Sequence, residues 1–331
     1  MKKDQRGIAH LVGIIAVVLV LAVGFVGYRV MQSKKDKEAT TPVATTTTTT
    51  TETKKEATWQ KGGVAVAGKF ADADIVSVDD KTWRLYYAIQ PEVQGNNFQV
   101  YSATSTDGKT WTQEAGTRKT MATFPEVIKL KDGRYRMYFQ SAGVLKSAIS
   151  SDGLTFKDES GTRIDKSNPD NLVFDNVAAP TTIQLDDGTF VMIYRGTINT
   201  RYAENTPNAT TQLLQWATST DGLTFTKKGI AVDSRNSTLN GQLDGPDIVK
   251  WDDGKYHVFV TSYTGVYEFT FDGTTFGTPN LAYSGEAKQS GSGFMGAPPG
   301  DPTVAKIGGT WYMYYGASVT TGGIDYATLT E

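Results

Sequence analysis

The chain of 331 residues contains no cysteine and only two histidines, His10 and His257. Without cysteine there can be no disulfide, no thiolate-held zinc or iron–sulfur cluster and no thiol nucleophile. Two histidines leave no material for a histidine-rich metal site. Neither sign of charge dominates: 33 basic residues nearly cancel 35 acidic ones, for a net charge of −2. The basic footprint of a nucleic-acid-binding protein is therefore missing, and no nucleic-acid partner is expected. Chemistry is left to carboxylates, hydroxyls and aromatics. Glycine (34), tyrosine (16) and phenylalanine (14) are plentiful.

Long hydrophobic runs are also scarce, with one exception. Residues 7–28 carry no charged side chain, and His10 is their only group that titrates near neutral pH. About 20 apolar residues cross a bilayer as a helix. A signal-peptide core is shorter and leads to a small-residue cleavage site, which is not seen here. Residues 1–31 therefore read as one N-terminal transmembrane helix, an uncleaved single-pass signal anchor in the cell membrane. Lys2, Lys3 and Arg6 precede the run, while Arg29, Lys34, Lys35 and Lys37 follow it, so the positive-inside rule does not orient it. Residues 32–57, with unbroken threonine at 45–51, have no apolar period and read as a disordered Thr-rich linker. Threonine-rich stalks are typical outside cells, which puts the remainder, residues 58–331, outside the cytoplasm.

That remainder repeats. STDGKTW (105–111), SSDGLTF (150–156), STDGLTF (219–225) and TFDGTTF (270–276) share an Asp-Gly turn followed by an aromatic. Asp-Gly between β-prone segments predicts a two-residue hairpin turn with both central residues at positive φ. A second unit is a strand, a turn and an aromatic-rich strand. Its copies begin at Asp74, Glu126, Thr181, Asp247 and Thr303. Together the units make a four-stranded antiparallel sheet, and periodic four-stranded sheets are propeller blades. The fold class is therefore all-β, a five-bladed β-propeller. The fifth copy ends at Glu331 before its Asp-Gly turn and outer strand. TWQKGGVAV at 58–66 matches TFTKKGIAV at 224–232, so the first segment is expected to supply that strand and close the ring.

Inner strands of a propeller start at one mouth of its axial channel. Here those starts are acidic: Asp72 and Asp74, Glu126, Asp244 and Asp247, and Asp301, with Ala179 and Thr181 the exception in the third copy. These acids read as sitting at equivalent positions. Carboxylates brought together raise one another's pKa, and glycoside hydrolysis needs one carboxylic acid and one carboxylate. The alternative is that some cap turns or hold a cation.

The copies resemble the five-bladed glycoside hydrolases of family 43 (arabinanases, β-xylosidases, arabinofuranosidases) and, more distantly, those of family 32. The resemblance puts Asp72, in Asp72-Ala73, at the place of the family's base. Asp244, in Asp244-Gly245-Pro246, takes the place of its acid, and Phe124-Pro125-Glu126 echoes its blade-two element. The family's third catalytic Asp is replaced by Ala179, and its acidic Glu is shortened to Asp244. The resemblance thus implies a membrane-tethered hydrolase of oligo- or polysaccharides with Asp72 and Asp244 catalytic. Asp74, Glu126, Asp247, Asp301, Arg195 and Phe124 would contact substrate, in a monomer. The two departures leave open a carbohydrate-binding or adhesive propeller without catalysis. No cofactor is expected beyond a structural calcium ion in the central channel. The turns also resemble those of sialidases, but these use six blades and an arginine triad, which the sequence does not show. His257 reads as structural. The insert at 199–211 reads as the longest loop, overhanging one face.

Overall fold

A computed structural model describes residues 57–90, 93, 97–206, 208–285, 288–290, 293–295, 299–317 and 323–330. The expected anchor and linker lie outside the described residues. Among those described, no helix is long and apolar enough to cross a membrane.

The described chain is built from five four-stranded antiparallel sheets arranged as a propeller. Blade 1 contains β2 (Phe70–Ser77), β3 (Trp83–Ile89), β4 (Val100–Ser105) and β5 (Thr112–Gln113), from the axis outward. Blade 2 repeats this with β6 (Thr123–Lys129), β7 (Tyr135–Ser141), β8 (Val144–Ser150) and β9 (Lys157–Asp158). Blade 3 contains β10 (Asn176–Gln184), β11 (Phe190–Ile198), β12 (Thr211–Ser219) and β13 (Thr226–Val232). Blade 4 contains β14 (Asp244–Lys250), β15 (Tyr256–Ser262), β16 (Gly265–Phe271) and β17 (Asn280–Tyr283). A short hairpin, β18 (Lys288–Ser290) with β19 (Gly293–Met295), precedes blade 5. Blade 5 runs β20 (Gly300–Ile307), β21 (Thr310–Gly316) and β22 (Ile324–Thr330), and its outer strand is β1 (Thr58–Val66). The pairing of Thr58 with Thr330 and Trp59 with Leu329 closes the ring as the sequence alignment predicts.

Hydrophobic burial lies between blades. Five clusters of buried side chains each join a neighbouring pair, such as Tyr86 and Met137 between blades 1 and 2 or Phe259 and Trp59 between blades 4 and 5. Non-directional burial holds the blades together, while polar clamps fix their register. Tyr86, Tyr138 and Tyr314 occupy the same register position on second strands. Each donates its hydroxyl at 2.7 Å to a carbonyl of the next blade's Asp-Gly turn, at Gly153, Gly222 and Gly108 respectively.

Those turns differ from the two-residue hairpins the sequence suggests. Gly108, Gly153 and Gly222 have φ near +70° (73°, 71° and 69°), whereas the preceding aspartates do not adopt positive φ. Each aspartate instead accepts two backbone N–H groups, as Asp107 does from Lys109 at 2.8 Å and Thr110 at 2.7 Å. The side chain satisfies donors that a tighter turn would pair through the backbone, which makes the loop wider. The insert at 199–211 joins β11 to β12 at the mouth end, where Tyr202 donates to the Asn236 carbonyl at 2.9 Å. It is not the longest connection, because the segment between β9 and β10 exceeds it.

Candidate functional site

All five inner strands carry a β-bulge at the same place. Register slips between Ala71 and Asp74, Thr123 and Glu126, Ala178 and Thr181, Asp244 and Asp247, and Gly300 and Thr303. At the bulge the chain turns left-handed: φ is 53° at Asp72, 49° at Phe124, 47° at Ala179, 52° at Gly245 and 46° at Asp301. The next residue is Pro125, Pro180, Pro246 or Pro302 in blades 2 to 5 and Ala73 in blade 1. Proline suits a bulge because that position has no ladder partner for an N–H. The bulge re-aims side chains and splits the acidic residues into two stacked rings. This corrects the sequence reading that all six acids are equivalent.

The deeper ring is Asp74, Glu126, Thr181, Asp247 and Thr303. Each accepts the backbone N–H just past its counterpart in the next blade. Asp74 takes Val127 (2.8 Å), Glu126 takes Thr182 (2.7 Å) and Thr181 takes Ile248 (3.0 Å). Asp247 takes Val304 (2.8 Å), and Thr303 takes Ile75 (3.2 Å), completing the circuit. All five side chains are buried. Burial pushes Asp74 up to about 7 and Asp247 up to about 8. Burial, then the charges of Asp74 and Asp247, raises Glu126 well above the usual carboxylate range. Sequence reasoning puts Asp74, Glu126 and Asp247 on substrate; the structure places them beneath the mouth, stitching blades. It missed Thr181 and Thr303, whose only signal is their position in the repeat.

One oxygen each from Asp74, Glu126 and Asp247 lie within 4.8 Å of one another. Three hard carboxylate oxygens at this spacing fit a calcium ion by donor type.

The upper ring is different. Asp72 accepts the Phe124 N–H at 3.3 Å and hydrogen-bonds the Asp301 carboxyl. Burial raises Asp72 to about 7, against the opposing pull of the Phe124 N–H and Arg195. Burial, then the charges of Asp244 and Asp72, raises Asp301 well above its ordinary value. Two carboxyls in contact share a proton because both cannot ionise cheaply. Asp244, one residue ahead of the bulge, forms an ion pair with Arg195 of β11. The Arg195 guanidinium also lies 5.1 Å from the centroid of the Phe124 ring, and its buried Nε has no partner among the described residues. Gly245 is required here: a Cβ would stand 2.5 Å from the Asp301 Cα. Ala179 puts only a buried methyl at the fifth position. Every blade thus contributes one group to the mouth: Asp72, Phe124, Arg195, Asp244 and Asp301.

Between the rings lies a cavity of about 20 Å³, lined by Asp72, Phe124, Glu126, Asp247 and Asp301 among others. That is room for about one water. The opposite end of the channel opens into a void of about 560 Å³. Volume alone favours that lower end, but its chemistry does not. Two of its three lysines are already in ion pairs, Lys250 with Asp186 and Lys306 with Asp252, both at 2.7 Å, and the third, Lys129, donates to the Val78 carbonyl. His257 sits in β15 between Glu268 and Asp253 and stacks on Trp251, in a structural role, and lines neither the upper cavity nor the lower void.

No protein-family model and no curated protein matches the chain. Solved structures do. A thermostable family-43 glycoside hydrolase superposes with a TM-score of 0.58 at 18% identity, covering 81% of this chain and 90% of that one. An endo-1,4-β-xylanase from Bacteroides thetaiotaomicron gives 0.58 at 14% identity, covering 81% and 97%. A family-43 β-1,3-galactosidase solved with galactodeoxynojirimycin gives 0.55 at 13%, covering 81% and 93%. The chain has the fold of the glycoside hydrolase propellers. At this identity the likeness carries the fold and leaves the chemistry to the mouth.

Proposed function

We propose that this propeller is a glycoside hydrolase-like protein that acts on glycosidic bonds of oligo- or polysaccharides through carboxylate acid/base chemistry at the mouth. The observation that carries this reading is the meeting of Asp72, Asp244 and Asp301 from three blades with Arg195 and Phe124 from the other two. Asp301 supplies from blade 5 the third carboxyl that Ala179 does not supply from blade 3. Asp72, raised to about 7, suits a base poised near neutral pH. Asp244 faces it as the acid, and Arg195 must release Asp244 for a proton to sit there. Phe124 and Arg195 offer a sugar an apolar face and a donor fork. The helix expected at residues 7–28 would tether the propeller outside the cytoplasm. The Asp74, Glu126 and Asp247 oxygens would hold a structural calcium ion, whose part is to offset their mutual repulsion.

The Arg195–Asp244 ion pair also favours a second reading, in which the same mouth binds glycan without cleaving it. One experiment separates the two. Full-length protein, Asp72→Asn and Asp244→Asn are assayed on aryl-glycosides and on xylo-, arabino- and galacto-oligosaccharides, with calorimetric binding in parallel. Turnover lost in both variants supports hydrolysis. Binding without turnover supports the second reading, and neither binding nor turnover on the whole panel rejects both.

A further inference from the structure

We propose that Phe98 and Met121 form an apolar ledge beside the mouth that seats the next sugar ring of a bound oligosaccharide. The proposal rests on the glycan reading above and extends it from one sugar to several. Large hydrophobic side chains are exposed at only five described positions, and these two are among them, with Phe98 37% and Met121 59% exposed. Both belong to mouth-end connections: Phe98 precedes β4 of blade 1, and Met121 precedes β6 of blade 2. Two backbone hydrogen bonds lock the connections together, Met121 N–H to Asn97 O and Ala122 N–H to Phe98 O, each 2.9 Å.

Both residues are left-handed, with φ of 51° at Phe98 and 54° at Met121. Bulky side chains seldom adopt that conformation, and strain of this kind clusters at ligand sites. The fold gains little from an exposed methionine, so the strain is not repaid by core packing. The ledge adjoins the mouth along the chain. Ala122 is buried, Thr123 bonds Gln140 at 2.9 Å, and Phe124 follows beneath Arg195. Met121 and Phe124 are three positions apart, about 10 Å of extended chain, so a neighbouring ring of the same glycan reaches from one to the other. A sugar's C–H face packs on an aromatic ring, and methionine adapts its shape to what lies on it. The ligand class is therefore an oligosaccharide with an exposed apolar ring face next to the unit held by the carboxylates.

The test measures affinity of the full-length protein for xylo-, arabino- and β-1,3-galacto-oligosaccharides against the matching monosaccharides. Wild type is expected to bind tighter as the chain lengthens. The double variant Phe98→Ala, Met121→Ala is expected to lose that gain, about tenfold, while monosaccharide affinity and melting temperature stay unchanged. Phe98→Tyr, which keeps the ring face, is expected to preserve it. If the double variant keeps the full length dependence, the ledge is overturned and the glycan reading stands. If wild type binds none of these sugars, both fall together.

Discussion

The two rings at the channel axis lie on the same strands, two residues apart on β2 and β20 and three apart on β14, and have opposite fates. In the deeper ring every side chain accepts a hydrogen bond from the next blade, and the circuit closes through Thr181 and Thr303. In the upper ring no circuit closes. Asp72 and Asp301 lean on each other, Asp244 is pinned by a cation from another strand, and Ala179 contributes nothing polar. Buried polar groups that are fully paired specify a structure, and those that are not are held at a cost that points to function. Acidity alone would rank the rings together; hydrogen-bond closure separates them.

The largest expected effect is in the deeper ring. Glu126→Ala removes the acceptor for the Thr182 N–H and leaves a void, so unfolding in urea should fall by about 3–5 kcal/mol. Asp301→Asn in the upper ring should change it by less than about 1 kcal/mol, because the Asp301 carboxyl already holds a proton and the amide is its neutral counterpart of the same size. Equal losses would erase the contrast.

The second effect is on pH. Asp72 and Asp74 are raised to about 7, Asp247 to about 8, and Glu126 and Asp301 are raised well above the usual carboxylate range. Between the ordinary carboxylate range and these values the folded chain holds protons that the unfolded chain has released. Stability is therefore full below about pH 4 as far as these groups go, and is lost as pH rises through 7 to 8. The turn aspartates Asp107, Asp152 and Asp221, each lowered to about 2, act in the other direction, and only below about pH 4. Melting in EDTA should be highest near pH 5 and fall toward pH 9, and Asp247→Asn should flatten the decline by about 2 kcal/mol. A melting temperature that rises from pH 5 to 9 would contradict the ring's protonation. Added calcium should raise the melting point more at pH 8 than at pH 6, where protons compete for the same oxygens.

Smaller still, Thr181→Val orphans the Ile248 N–H and should cost about 1–2 kcal/mol in thermal unfolding while leaving sugar binding intact. Arg195→Lys keeps the charge but loses the planar contact with Phe124, so it should barely move the melting point and weaken glycan binding measurably.

The propeller was readable from the repeats because each blade solves the same packing problem with the same pattern. Even the closing strand was visible, in the match between residues 58–66 and 224–232. The rings were not. A bulge inserts one residue into a period of two, so Asp244 and Asp247, or Asp72 and Asp74, look interchangeable along the chain but face different surroundings. The acceptor role of Thr181 depends on a neighbouring blade's backbone, which no local pattern encodes. The pairing of Asp301 with Asp72 is likewise a product of ring closure. Phe98 and Met121 carry no signal along the chain, because each stands alone in its connection outside the repeats and a left-handed φ leaves no mark on a phenylalanine or a methionine.

Glycan chemistry is proposed to occur at the upper ring, where no hydrogen-bond circuit closes. Its most direct test is the initial rate of glycoside cleavage by Asp72→Asn relative to wild type, on whichever sugar of the panel wild type turns over. The account predicts a fall of at least about 100-fold with an unchanged melting temperature. Cleavage by Asp72→Asn at the wild-type rate would place the chemistry elsewhere and contradict it.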